Sequence, residues 1–133
     1  GTVTAIAFST HSKAVATGCD NGEVHAWSVV SGRLVWELPR APALVKTLGF
    51  SRDGVSLAVG CANGDCMLYS ADTRSCTSKV QCDMAGSIRC MGFSPASKLL
   101  ICGGEVGVLQ VFGSDDGSCK KILELEAAAL GQT

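Results

Sequence analysis

Three stretches of this chain are written to one pattern. FSTHSKAVATGCDNGEVHAW (8–27), FSRDGVSLAVGCANGDCMLY (50–69) and FSPASKLLICGGEVGVLQVF (93–112) each open on Phe-Ser. Each then passes through an apolar run and a glycine to a second run that ends on an aromatic residue. Phe8, Phe50 and Phe93 recur at a period of about 42–43 residues, and so do Gly18, Gly60 and Gly103, Gly22, Gly64 and Gly107, and Trp27, Tyr69 and Phe112. A fixed period of this kind marks a repeat architecture, and the contents of one period decide which.

Each period divides into four short strands. In the first copy they cover 3–8, 14–19, 23–27 and 33–38; in the second 44–50, 55–61, 65–69 and 75–81; in the third 88–93, 98–103, 108–112 and 118–125. Short runs rich in Val, Ile, Leu and aromatics, separated by turn residues, are strand signals. Asn21-Gly22 and Asn63-Gly64 predict type I′ hairpin turns centred on those pairs, because that turn needs φ > 0 at both central residues. Glu105-Val106-Gly107 replaces the pair in the third copy and predicts a different turn. The expected fold is all-β: three antiparallel four-stranded units over about 1–42, 43–86 and 87–125, then a frayed tail at 126–133.

Composition narrows the function classes. The chain has 133 residues, 47% of them apolar, which suits a globular fold with a real core. A net charge of -1 argues against a nucleic-acid binder that works through a basic stripe. There is no run of apolar residues long enough for a membrane helix. The opening GTVTAIAFST lacks a basic segment and a long apolar segment, so it does not read as a signal peptide. It reads as the middle of a longer protein. Eight cysteines fall mostly inside apolar runs, with no CxxC pair and no His at ligand spacing. Reduced structural thiols in an intracellular, cytoplasmic setting are expected, with zinc or disulfides as the alternatives.

With the Phe-Ser pair, the glycine that closes the second strand, the Asn-Gly turn and the aromatic that ends the third strand, the sequence resembles the WD40-repeat family over roughly residues 3–125. The resemblance implies blades of a β-propeller arranged radially about a channel. There are departures. The Gly-His junction of the family reads PRAP or CDMAG here, and its Trp-Asp reads Trp27-Ser28, Tyr69-Ser70 and Phe112-Gly113. The turn Asp is replaced by Asn21, Asn63 and Val106. The Ser/Thr that bonds the aromatic in the family survives as Thr17 alone, with Val59 and Cys102 in the other copies. The expectation is that the buried polar network is missing and apolar packing holds the blades.

No catalytic constellation assembles. His25 lies mid-strand, His11 in a polar turn, and neither has a repeated acid or nucleophile beside it. Asp115-Asp116-Gly117 lacks the ligand series of a calcium loop, and Gly103-Gly104 lacks the Lys-Ser/Thr of a phosphate loop. No enzyme activity, metal or other cofactor is expected. Trp27 is expected in the core; Trp36, on the outermost strand, fits either a partner contact or cover for the blade edge. The resemblance implies partner binding on the side built from second-to-third-strand turns and inter-blade connectors. There it picks out Asp20, Asn21, Arg40, Asn63, Met84 and Glu105, with Lys46 and Arg89 at the starts of the first strands.

The function expected is a protein–protein interaction scaffold, part of a propeller in a larger protein or complex. An RNA- or ribosome-associated propeller is the alternative, and an enzyme on a propeller fold ranks behind both. Three blades fall short of the 4–8 that close a propeller. Unpaired apolar residues are therefore expected on the outer faces: Ile6, Val15 and Val24 at one end, Leu100, Val108 and Val111 at the other. Further blades or a second copy would cover them.

Overall fold

The computed structural model describes residues 1–9, 13–71, 73, 75–81, 87–94, 96, 98–104, 108–113 and 119–124, without the side chains of 80, 81, 108 and 119–124. The first sheet holds β1 (Val3–Phe8), β2 (Ala14–Cys19), β3 (Val24–Ser28) and β4 (Leu34–Leu38) in sequence order. The second holds β5 (Val45–Phe50), β6 (Ser56–Cys61), β7 (Asp65–Ser70) and β8 (Cys76–Gln81). The third holds β9 (Cys90–Phe93), β10 (Leu99–Gly103), β11 (Val108–Gly113) and β12 (Cys119–Glu124). Every neighbouring pair within a sheet is antiparallel. The first strands β1, β5 and β9 pack side by side, so the three sheets share one inner edge. Among the described residues there is no helix, and none long and apolar enough to cross a membrane. The tail at 126–133 lies outside the described residues.

The core is not inside the sheets but between them. Strand alternation gives each sheet two faces. The back of sheet one offers Ala5, Ala7, Ala16, Val24, Trp36 and Leu38; the front of sheet two offers Leu48, Phe50, Leu57, Val59, Met67 and Tyr69, and together they form one cluster. The back of sheet two (Ala58, Cys66, Leu68) meets the front of sheet three (Met91, Phe93, Leu100, Cys102, Phe112) in a second cluster. At both interfaces large side chains of one front pack against a back that mixes small residues, Ala5, Ala7 and Ala16 or Ala58 and Cys66, with larger ones. Gly18 and Gly60 let the next blade's first strand approach. A Cβ on Gly60 would lie 2.7 Å from Ile88 Cγ2, and one on Gly18 would overlap the Val45 side chain.

Three expectations need correction. First, the Asn-Gly pairs are not the centres of type I′ turns. Gly22 N–H donates to Cys19 C=O at 3.1 Å, so Asp20 and Asn21 take the corners and Gly22, at φ 90°, follows them. Gly64 repeats this with Cys61 at 3.2 Å and φ 92°. This is the longer hairpin connection in which a turn is followed by one left-handed glycine.

Second, the outer-face residues were assigned to the wrong sides in part. Ile6 and Val15 do lie on the bare front of sheet one. Val24 faces sheet two, and Leu100 faces the same sheet from the other side; both are fully buried. Val111 lies on the back of sheet three yet is 8% exposed, and the Val108 side chain is outside the description. The bare front instead carries Val3, Ile6 (61% exposed), Phe8 (59%) and Leu34, and the bare back carries Leu99, Ile101 and Leu109. A strand's period of two makes this error easy, because a one-residue slip in phase exchanges the faces.

Third, one link of the polar network survives. Trp27 Nε1 donates to Thr17 Oγ1 at 3.0 Å on the bare front of sheet one. The equivalent pairs, Val59 with Tyr69 and Cys102 with Phe112, are packed in the two inter-blade cores. Trp27 thus occupies the position where Tyr69 and Phe112 each meet the preceding blade.

Candidate functional site

One rim of the molecule gathers the chain's turn tips. The turn at 19–22 and the turn at 61–64 lie at the same ends of their sheets, and the connector 39–44 passes both. Ala41 N–H donates to Gly22 C=O at 2.8 Å, and Ala62 N–H donates to Leu44 C=O at 2.9 Å. Ile88 N–H donates to Cys61 C=O at 3.1 Å, which brings the start of blade three onto the same rim. Backbone hydrogen bonds therefore fix this surface, although its side chains are mostly exposed.

Of the eight residues picked out by sequence, six are described, and all six are exposed: Asp20, Asn21, Arg40, Lys46, Asn63 and Arg89. Met84 and Glu105 lie outside the described residues. Asn21 and Asn63 engage their amides within their own turns. Asn21 Oδ1 accepts Glu23 N–H at 3.1 Å and its Nδ2 donates to the Glu23 carboxylate; Asn63 makes the same pair of bonds to Asp65. The Asn21 amide holds the Glu23 carboxyl below its ordinary range. Asp20 accepts Thr2 N–H at 3.1 Å. Asp65 is 6% exposed and faces Lys79 Nζ at 3.5 Å.

Lys46 has a feature that sequence reasoning did not show. The pairing of β5 with β6 skips from Val45–Cys61 to Thr47–Gly60, so Lys46 is the extra residue of a bulge; Thr4 has the same place in β1. Bulges re-aim a side chain relative to its strand. The Thr4 hydroxyl turns toward the neighbouring blade and donates to the carbonyls of Gly18 and Val45.

The remaining candidates resolve as structure. His25 Nε2 sits 3.2 Å from Glu37 and 3.9 Å from Glu23, with its ring 5.8 Å from that of Trp27. Trp36 is half-buried against the first core and lines a cavity of about 190 Å³ between blades one and two, at the rim opposite the turn tips. His11 is outside the described residues. Among the described residues, no group of three His, Cys, Asp or Glu side chains converges to hold a metal ion.

Six cysteines are described and none of them is in a disulfide: Cys19, Cys61, Cys66 and Cys102 are buried, Cys76 and Cys90 exposed. Burial first, and the Asp65 carboxylate second, push the Cys61 thiol up to about 11, so it stays protonated and unreactive at neutral pH. The expected labelling with iodoacetamide in the native protein is fast at Cys76 and Cys90 and absent at Cys61 until denaturant is added. Peptide mass spectrometry reads this directly, and a Cys61 that labels as fast as Cys76 would contradict the packing described.

Comparison with known proteins places these features. Residues 30–96 match the family model described as anaphase-promoting complex subunit 4 WD40 domain, and residues 1–28 match that described as WD domain, G-beta repeat. The chain is 31% identical over 112 residues to Meiotic fizzy-related protein 2 of Schizosaccharomyces pombe, covering 83% of this chain and 21% of that protein. It is 31% identical over 111 residues to the Protein LST8 homolog of Drosophila melanogaster, covering 78% of this chain and 35% of that one. The chain thus spans a minor part of these relatives. Among solved structures, that of U3-55K superposes with a TM-score of 0.87 at 17% identity, over 94% of this chain and 40% of that one.

Proposed function

The chain belongs to the WD40-repeat family, and from that premise we propose that it works as a non-enzymatic protein–protein interaction scaffold, one arc of a propeller within a larger protein or complex. The observation that carries the reading is the turn rim: backbone hydrogen bonds tie its turns to the connectors and to the start of blade three, while its side chains are mostly exposed. A rigid frame with variable exposed tips is what a docking surface requires. The relatives, a meiotic fizzy-related protein and LST8 homologs, support the same coarse role. The bare front of sheet one is the surface on which a further blade or a second copy seats.

Photo-crosslinking tests the docking side. A photoreactive residue placed at 21 or 63 on the turn rim is expected to give protein adducts in cells. The same residue at 31 or 53, on the opposite rim, is expected to give few. Adducts concentrated at 31 and 53 would overturn the assignment.

A further inference from the structure

Each filled contact between blades seats a branched side chain over a glycine. Val45 sits over Gly18 and Ile88 over Gly60; both are fully buried, and a Cβ on either glycine would collide with them. Gly103 continues the glycine series on the bare back of sheet three. Among the described residues, the nearest neighbours of a Cβ there are Cys90 Sγ and Leu109 Cδ2, both of its own sheet. A cavity of about 240 Å³ stands open over it, with Cys90, Gly92, Ile101 and Leu109 also in its lining. Val3 continues the other series. It precedes the bulge of β1 as Val45 precedes that of β5, and it is 54% exposed on the bare front of sheet one. The two bare faces therefore carry one open socket and one unseated branched residue.

The same faces differ from the buried ones in matching directions. At the filled contacts a back alanine, Ala16 or Ala58, shares its cluster with a front leucine, Leu57 or Leu100. At the equivalent repeat positions the bare back carries Ile101 in place of the alanine, and the bare front carries Val15 in place of the leucine. A larger back residue thus goes with a smaller front one, the kind of exchange that conserves volume. The polar outer edge of the front does not oppose contact. His25 Nε2 already sits 3.2 Å from Glu37, and Lys79, at the place of Glu37 in blade two, keeps 58% of its side chain exposed with its own contact formed.

We propose that the protein binds a second copy of itself head to tail, with Val3 of one copy entering the Gly103 socket of the next and Val15 meeting Ile101. This rests on the reading of the bare front as a seat for a further unit. It selects a second copy over a further blade because the socket and its branched residue, and the enlarged back and reduced front, lie on one sequence. The repeat also places a reporter in the contact. Thr47 flanks Ile88 at Gly60, its Cγ2 2.8 Å from a Cβ built there, and Cys90 is the residue equivalent to Thr47. Cys90 therefore comes beside Val3 of the next copy.

Sedimentation velocity of the full-length protein, joined to disulfide trapping, is the test. The unaltered protein is expected to associate beyond the monomer as its concentration rises. Val3→Glu and Ile101→Glu, both at exposed sites, are each expected to weaken association by about tenfold or more, because each would bury a charge. Their melting temperatures are expected to match that of the unaltered monomer. Mixed in equal amounts, the two variants are expected to form a one-to-one pair, since the first keeps an intact back and the second an intact front. Val3→Cys is expected to form an intermolecular disulfide with Cys90 on mild oxidation, read by peptide mass spectrometry. A protein that stays monomeric at every concentration overturns the proposal and leaves the faces to further blades. So does a mixture in which no pair forms, or a Val3→Cys disulfide found on Cys76 as readily as on Cys90. If association fails while crosslinks still concentrate at 21 and 63, self-binding falls and the scaffold reading stands. Loss of those crosslinks counts against the scaffold reading alone.

Discussion

Leu57→Ala is expected to lower stability by about 2–5 kcal/mol, the cost of deleting a buried leucine side chain where the surroundings relax little. Leu57 is fully buried on the front of sheet two, in the core shared with blade one. Its cross-strand neighbours Phe50 and Tyr69 lie on the same face. The opposing face of sheet one includes Ala5, Ala7 and Ala16, which have no length with which to fill a hole, beside Val24, Trp36 and Leu38. Ile101→Ala supplies the contrast, because Ile101 is 36% exposed on the bare back of sheet three. Urea unfolding of the two variants reads the difference as a shift in midpoint at constant slope. Equal shifts would mean that the inter-blade clusters are not the core.

Gly60→Val is expected to cost about 1–3 kcal/mol or more, by overpacking. A Cβ at Gly60 would sit 2.7 Å from Ile88 Cγ2 and 2.8 Å from Thr47 Cγ2. Ile88 is fully buried and belongs to the next blade's entry, so the clash pushes blade three away from blade two. Two comparisons inside the chain isolate this cause. Nothing lies within 4 Å of a Cβ built on Gly49, so Gly49→Val is expected to change little. Gly103 holds the same repeat position as Gly60, but its nearest neighbours are Cys90 Sγ at 3.0 Å and Leu109 Cδ2 at 3.2 Å, both from its own sheet. Gly103→Val is therefore expected to be milder than Gly60→Val. A Gly103 variant as damaging as the Gly60 one would show that the glycine serves its own sheet and not the neighbouring blade.

The strands were legible because each period carries its own punctuation. Turn residues bound apolar runs of strand length, and β1 and β2 begin and end where that pattern places them. The connectivity followed from the short turns, which allow antiparallel neighbours alone. What the pattern could not show was phase. Val24 and Val15 look alike in sequence, yet Val24 faces blade two and Val15 the bare front, because the pairing register decides the side. The turn at 19–22 was misread for a related reason. Asn-Gly fits two turn geometries, and the hydrogen bond from Gly22 to Cys19 chooses between them. At the candidate site, positions were legible and availability was not. Asn21 and Asn63 were picked out as partner-binding residues, and their amides close their own turns. The bulge at Lys46 left no mark in the sequence.

The unequal faces of each blade give the stack a direction. Leu57, Phe50 and Tyr69 meet a face of Ala5, Ala7 and Ala16 with Val24, Trp36 and Leu38 at one interface, and Leu100, Phe93 and Phe112 meet Ala58, Cys66 and Leu68 at the next. Such contacts are heterologous: the two surfaces that meet are different surfaces. Two copies related by a two-fold axis would set Phe8 and Trp27 against their own equivalents, bulk against bulk. A further unit seated on this arc in the same way would be added head to tail, turned by the same increment, and such additions would stop only when the increments completed a circle.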